Sequence, residues 1–417
     1  MKIRPRALEV VLSRSLAEFP VTTLVGLRYA GKTTLAGRSA PDRAYVTFDD
    51  LGALDAARRD PEGFLKGLSR PVTIDEAQRV PELLLPIKRE VDRNPRPGQF
   101  LLTGSARIEL RRGVAETLAG RAAILRLRPM TWAEAAGKAS WNPLDLLFGC
   151  RSVSEASGRF AAGSGTPLEG ARVLAGGLPF PLLRRRGEAR ARWFEQYRAT
   201  YMEKDVPPLV HLEEVSAFVR FLSLAAARTA QTTNFAALAH ESGISADTGL
   251  RWLGVLEATY LADLVPPWWR NIGKRLVKSP KLHFGDAGLA GHLLGIRRWE
   301  DAVRGNLGGA LLETLVAQHL LVFADCSKRS STSIFHYRTH AGAEVDFVAV
   351  RGSRLLPIEV KATSSVRGSD LGGLRSFLDD FGAEAPFGVC LTGGTEVQPA
   401  GHGILAIPLV KFLEGLP

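Results

Sequence analysis

Gly26 and Gly31 bracket four residues and are followed at once by Lys32 and Thr33, and no other feature limits the fold of this chain so tightly. The stretch from Thr22 to Leu35 reads TTLVGLRYAGKTTL and fits the phosphate-loop pattern G-x-x-x-x-G-K-[ST]. Glycines let a backbone wrap an anion with its amide N–H groups turned inward, and the N-terminus of the following helix adds a positive dipole. In such a loop Lys32 reaches the β- and γ-phosphates of a nucleotide, and the Thr33 hydroxyl ligates Mg²⁺. The flanks agree: a β-branched run, Val21 to Val25, enters the loop and a helical pattern from Thr33 to Arg38 leaves it. Gly26, Gly31, Lys32, Thr33 and Thr34 are therefore the expected nucleotide-binding residues, with ATP and Mg²⁺ as ligands.

Strand-like segments then recur with helical spacers: Thr22–Gly26, Ala44–Phe48, Val72–Asp75, Gln99–Thr103 and Ala123–Leu127, with helices near 32–39, 51–68, 81–93 and 106–119. Five strands alternating with helices predict an α/β fold, a mostly parallel five-stranded sheet covered on both faces. Ligands of such sheets sit beyond the carboxyl ends of the strands. There the third strand closes in Asp75-Glu76, which reads as a Mg²⁺-holding acid followed by an acid that polarises the attacking water. Alternatively, the pair only caps the helix that follows. The fourth strand ends Leu101-Leu102-Thr103-Gly104-Ser105, placing Thr103 or Ser105 to touch that water or the γ-phosphate.

The remaining composition narrows the class. Three cysteines (Cys150, Cys326 and Cys390) lie too far apart for a metal-type pair or a disulfide framework, so a reducing cytoplasm is expected. No apolar run reaches membrane-spanning length, and residues 1–20 read as a basic amphipathic helix without a signal peptide's apolar region. The net charge of +11 favours polyanionic partners. The 417 residues allow several domains, and four are expected: 1–136, 137–214, 215–295 and 296–417. Segment 137–170, rich in Gly, Ser and Ala, reads as a linker or surface insertion, and the basic run Arg184–Arg192 opens a helix beyond it.

The series GLRYAGKTT, FDD, TIDEAQ, LLTGSA, LAGR and PMTWAEA resembles a prokaryotic family of AAA+ ATPases. Its members carry a helix-turn-helix and a nuclease-like region of uncharacterised role toward the C-terminus. Leu27 stands where that family usually has proline, which costs the loop stiffness and not binding. The resemblance implies a P-loop NTPase of the AAA+/ASCE kind, assembly of copies into a ring such as a hexamer, and DNA as partner. It also implies an arginine supplied by a neighbouring copy, for which Arg121 is the candidate and Arg107, Arg111 and Arg112 compete.

Two later patterns carry their own chemistry. Asn234 can cap a helix over 235–241, Gly243 turns the chain, and Ser245 caps a second helix to about Glu257. Ala236, Leu238, Ala239, Ile244, Leu250, Leu253 and Leu256 are the expected shared core of the pair. Strand-like segments at Tyr260–Val265 and Lys281–Phe284 follow, so the whole resembles a winged helix with a basic, aromatic wing around Trp268–Arg275. Arg251, Lys274, Arg275 and Lys278 are its candidate DNA contacts, against a packing module that touches no DNA. Finally, Glu344-Val345-Asp346 and Ile358-Glu359-Val360-Lys361 resemble the PD-(D/E)xK nuclease core, an α/β domain. Residues two apart share a strand face, so Glu359 and Lys361 project together toward Asp346. Asp346 and Glu359 would hold Mg²⁺ or Mn²⁺, Lys361 would position water, and Glu313 would add an acid from a helix. A plain hairpin without chemistry is the competing reading.

Overall fold

The buried run Val21–Val25 becomes β1, the strand that the first sheet is built around. A computed structural model describes residues 3–104, 117–163, 165–184, 187–204, 206, 210, 214–270, 279–327, 331–339 and 342–416. β1 is flanked by β4 (Phe100–Gly104) and β5 (Ala122–Arg126), with β3 (Val72–Asp75) and then β2 (Ala44–Thr47) beyond β4. All five strands run parallel in the order β2-β3-β4-β1-β5. β1, β3 and β4 are buried at every position, as strands covered on both faces must be. Each strand falls where the sequence placed it, within a residue or so at the ends. The expected helix over 51–68 is instead two, Leu51–Arg59 and Pro61–Gly67. Asp60 breaks it: its carboxylate accepts the Gly63 N–H while Pro61 takes the first helical position. The expected helix over 106–119 lies mostly outside the described residues, as do Ser105, Arg107, Arg111 and Arg112.

The chain divides into two compact units, one of Arg6–Pro129 with Val255–Leu261, the other of Met1–Pro5, Met130–Gly254 and Ala262–Pro417. The division falls at 129/130 and not at the expected 136/137, because the Trp132 N–H donates to His319 Nε2 at 2.9 Å inside the second unit. Segment 137–163 is not the linker its composition suggested. Leu144, Leu147 and Phe160 are fully buried there, Phe160 stacks on Phe412, and the Trp141 indole donates to the Phe412 carbonyl at 2.8 Å. A few large apolar residues among many small ones were enough to bury the segment.

Further along, helix Phe235–Glu241 is capped by Asn234, whose side chain accepts the Ala237 N–H at 3.1 Å. Gly243 turns at φ 73°, and the Ser245 hydroxyl accepts the Thr248 N–H at the start of helix Ala246–Ala258. Leu238, Ala239, Leu253 and Leu256 are buried as expected, but Ala236 is exposed, Ile244 is half-buried and Leu250 is 53% exposed. The helices approach at Gly249, where an added Cβ would lie 2.7 Å from the Ala239 Cβ. That contact turns Gly249 and Leu253 inward and rotates Leu250 about 100° away. Strands β6 (Gln231–Thr232), β7 (Ala262–Val265) and β8 (Lys281–Phe284) form an antiparallel sheet in the order β6-β8-β7.

The last sheet holds β9 (Ser333–Arg338), β10 (Glu344–Arg351), β11 (Arg354–Lys361), β12 (Gly388–Thr392), β13 (Gln398–Pro399) and β14 (Ile404–Pro408). Its order is β13-β14-β12-β11-β10-β9, antiparallel from β9 to β11 and parallel across β11, β12 and β14. The buried helix Gly308–Asp325 packs on it. The three-stranded sheet is tied to this one: the Trp268 N–H donates to the His336 carbonyl, and the Thr229 and Thr314 hydroxyls bond at 2.7 Å. No helix among the described residues is long and apolar enough to cross a membrane.

His319 anchors this unit, its Nδ1 donating to the Leu315 carbonyl at 2.8 Å and its ring edge-on to Trp132. Burial pushes its pKa down to about 4, so the folded unit holds it neutral. The unfolded chain takes up a proton near the ordinary histidine value of about 6.5. The stability from His319 is therefore complete above about 6.5 and is lost as pH falls toward about 4. Denaturant titrations across that window are expected to show a shallower acid loss in His319→Gln than in wild type. Equal slopes contradict the assignment.

Candidate nucleotide-binding site and an acidic cluster

Gly26, at the carboxyl end of β1, takes φ 150°, and a Cβ there would lie 2.2 Å from the Leu127 carbonyl oxygen. Gly31 takes φ 98° as the cap of helix Lys32–Ser39. The Leu127 carbonyl leaves no room for a side chain at Gly26, and the positive φ at Gly31 favours glycine there. Inside the loop the buried Lys32 ammonium donates to the carbonyls of Gly26 at 3.0 Å and Leu27 at 3.1 Å. Arg6, not singled out from the sequence, also holds the loop. Its guanidinium donates to the Ala30 carbonyl at 2.8 Å and the Arg128 carbonyl at 2.6 Å.

With β4 seated between β1 and β3, the ends of the three strands stand side by side. The Thr33 hydroxyl donates to Asp75 Oδ2 at 3.0 Å, and Thr103 donates to Asp75 Oδ1. Thr103 thus faces the acid, where the sequence pointed it at water or the γ-phosphate. A third hydroxyl, Tyr45 on β2, donates to Asp75 Oδ2 at 2.8 Å. Burial first, and then the bond to Asp75, raise the Tyr45 phenol above its usual range, so it stays a donor. The alternation of β2 could have disclosed Tyr45, since it is paired with Thr73, two residues before Asp75 on the neighbouring strand. Glu76 follows in the left-handed region at φ 55°, with Gln78 donating to its carboxylate. Hard hydroxyl and carboxylate oxygens at Thr33 and Asp75 suit Mg²⁺. Thr34 lies one residue further along the loop-capped helix. Arg121 is not brought to this group. Its carbonyl accepts the Val21 N–H at the opposite end of β1, and its guanidinium pairs with Asp92.

The second group is in the other unit. A register shift between Val345 and Val348 bulges β10 and releases Asp346 from the β9 ladder. The freed Asp346 N–H points at Glu359 Oε2, 3.4 Å away, while Asp346 Oδ2 accepts the Val360 N–H at 2.9 Å. Lys361 Nζ lies 2.8 Å from Glu359 Oε1. Asp346, Glu359 and Lys361 therefore converge, and Glu313 joins them from helix Gly308–Asp325. What joins them is Lys281 of β8, whose Nζ lies 2.9 Å from Glu313, 2.8 Å from Glu344 and 3.7 Å from Asp346. Lys281 and Glu344 were not singled out from the sequence. Lysine and histidine alternating through the short strand Lys281-Leu282-His283-Phe284 were the available signal.

Burial raises Glu313 well above the carboxylate range and also raises Asp346. Burial and then the Asp346 charge lift Glu359 to about 8. At Lys281, burial works downward, but Glu313, Asp346 and Glu344 outweigh it and hold the ammonium above its usual value. Among the described residues no group of three or more His, Cys, Asp or Glu side chains is disposed to hold a metal ion. Of the candidate DNA contacts, Arg251 is held by both carboxylate oxygens of Glu214, at 3.1 and 2.9 Å. Lys274, Arg275 and Lys278 lie outside the described residues.

A phosphate loop after β1, an acid pair closing β3 and a parallel sheet with β4 between them define a P-loop NTPase. The family described as AAA domain matches residues 18–136, which makes this an ATPase domain of the AAA type. Two domains of unknown function, DUF8612 and DUF4143, match residues 170–300 and 308–412. The chain is 32% identical over 369 residues to uncharacterized proteins of Mycobacterium bovis and Mycobacterium tuberculosis, covering 88% of itself and 75% of each, and it belongs to their family. Among solved structures, a Walker-type ATPase of Pyrococcus abyssi is similar at 17% identity and a TM-score of 0.43, over 70% of this chain and 99% of that one. A RuvB variant of Thermotoga maritima is similar at 21% identity and a TM-score of 0.27, over 62% and 86%.

The Arg6 clamp generates a prediction. Hydrogen bonds to charged groups contribute about 1.5–3 kcal/mol each. Arg6→Ala is expected to weaken nucleotide binding by about tenfold or more while the chain stays folded, read by titration with a fluorescent ATP analogue. Wild-type affinity in that variant contradicts the clamp.

Proposed function

We propose that this chain binds ATP with Mg²⁺ on its phosphate loop, hydrolyses it, and couples turnover to DNA through its second unit, as an assembly of copies. The observation that carries the reading is the 3.0 Å bond from Thr33 to Asp75 beside the Lys32 cradle. Thr33 and Asp75 are the residues that would hold Mg²⁺, which supplies charge stabilisation to the transferred phosphoryl group. Lys32 neutralises the phosphates, the loop N–H groups orient them, and Glu76 orients and deprotonates the attacking water. Tyr45 and Thr103 fix the Asp75 carboxylate with hydroxyls that carry no charge, leaving its negative charge for the ion. Arg121, at the far end of β5, is the residue to complete the site of a neighbouring copy in a ring.

The DNA role is supported by the net charge of +11, by the two capped helices around Gly243, and by the antiparallel pairing of β7 with β8. With Arg251 committed to Glu214, the contacts fall to Lys274, Arg275 and Lys278 between those strands. A second reading, a nucleotide-gated binding protein whose nuclease-like domain does not cut, is favoured by Lys281 among the acids of that domain.

Removing a water-orienting or charge-stabilising group costs about two to three orders of magnitude in rate. Glu76→Gln is expected to bind ATP normally and lose turnover to that extent, and Lys32→Ala to lose binding. Wild-type hydrolysis by Glu76→Gln would overturn its role. Steady-state ATPase assays with and without duplex and forked DNA separate the two readings: stimulation supports the DNA-coupled one, and its absence the gated one. Lys274 and Arg275 replaced together by Ala are expected to lower the salt slope of DNA binding by about one to two. An unchanged slope places the contacts elsewhere.

A further inference from the structure

Lys281 is 2% exposed and ends among carboxylates drawn from two different elements, Glu313 of helix Gly308–Asp325 and Glu344 and Asp346 of β10. Such acids, opposite Glu359 and Lys361, would in a metal-dependent nuclease surround a divalent ion. Here the oxygens are already engaged. Glu313 and Glu344 each turn an oxygen to the Lys281 ammonium at 2.9 and 2.8 Å. Asp346 Oδ2 accepts the Val360 N–H, and its Oδ1 faces Lys281 at 3.7 Å. Glu359 Oε1 pairs with Lys361, and its Oε2 faces the Asp346 N–H. His283 Nε2 stands a further 3.8 Å from Glu313 on the same side.

We propose that Lys281 is the resident cation of this cluster, standing where a divalent metal would bind and excluding it. The ammonium is a compact point charge with three donors, and carboxylates satisfy it as they would satisfy a metal ion. A Mg²⁺ or Mn²⁺ ion drawing Glu313, Glu344 and Asp346 to itself, at distances of about 2.0–2.2 Å, would overlap the Lys281 Nζ. The backbone that carries the side chain is held on both sides. β8 is the central strand of its sheet, with Lys281 paired to Thr232 on one side and Val265 on the other. At the end of the same strand the Phe284 N–H donates to Thr229, whose hydroxyl bonds Thr314, the residue next to Glu313. Lys281 is therefore built into the fold as fixed positive charge, and the second unit of the wild-type chain cuts DNA by no metal held at Asp346. The inference rests on the cluster alone and holds whether or not the first unit hydrolyses ATP.

The test uses the full chain without nucleotide and follows Mn²⁺ uptake by electron paramagnetic resonance. Asp346→Asn is the reference that subtracts any ion bound at Thr33 and Asp75. Wild type and Asp346→Asn are expected to take up Mn²⁺ equally, and neither to cleave plasmid DNA in Mn²⁺. Lys281→Met, close in length and without charge, is expected to be less stable in chelator, to gain a stoichiometric Mn²⁺ site and to regain stability on binding it. The site should vanish in Lys281→Met combined with Asp346→Asn. Mn²⁺ bound by wild type but not by Asp346→Asn would overturn the proposal, and so would a folded Lys281→Met that gains no site. Should Lys281→Met fail to fold, the comparison of wild type with Asp346→Asn decides alone: equal uptake upholds the resident lysine, and a site present only in wild type overturns it.

Discussion

The approach of Gly26 to the Leu127 carbonyl is the constraint on which the nucleotide unit depends. A methyl group at Gly26 would sit 2.2 Å from that oxygen, so the β1 end and the segment after β5 can meet only through bare backbone. The Leu127 N–H in turn donates to the Val25 carbonyl at 2.7 Å, locking that segment to β1 at the mouth of the loop. From this contact the loop must rise and fold back over Lys32, and Arg6 closes it by bonding Ala30 and Arg128 together. The parallel strand order then delivers Asp75 and Thr103 to the same edge. Sheet topology, loop chemistry and the acid are consequences of one another, and glycine at 26 is what makes them compatible.

The two carboxylate groups of the chain are built on opposite principles. Asp75 is 6% exposed and accepts from the neutral hydroxyls of Thr33, Tyr45 and Thr103. Glu313, Glu344 and Asp346 face a buried ammonium that compensates them from within. A buried charge without a partner costs several kcal/mol, so acids this deep either take up a proton or keep a cation beside them. The first acid is surrounded by neutral donors, and the second group encloses a cation of the chain itself.

Much of this was legible in the sequence, for local reasons. The phosphate loop, the five strands, Asp75-Glu76 and the convergence of Asp346 with Glu359 all follow from spacing within one segment or one strand face. What sequence did not disclose depends on contacts across long separations. Tyr45 reaches Asp75 from the neighbouring strand, Arg6 reaches Arg128 across the unit, and Lys281 reaches Glu344 from another sheet. Composition misled at 137–163, where Phe160 and Leu147 outweigh the small residues around them. Leu250 was assigned to the core by type, and the close approach at Gly249 turned it outward.

The central claim, that Thr33 and Asp75 form the ion-holding half of an ATP-hydrolysing site, is tested most directly by single-turnover hydrolysis of radiolabelled ATP by the purified chain. The account predicts phosphate release in Mg²⁺ by wild type, none in excess chelator, and a loss of about two orders of magnitude or more in Asp75→Asn. Equal rates for wild type and Asp75→Asn, or no phosphate release by wild type, would contradict it.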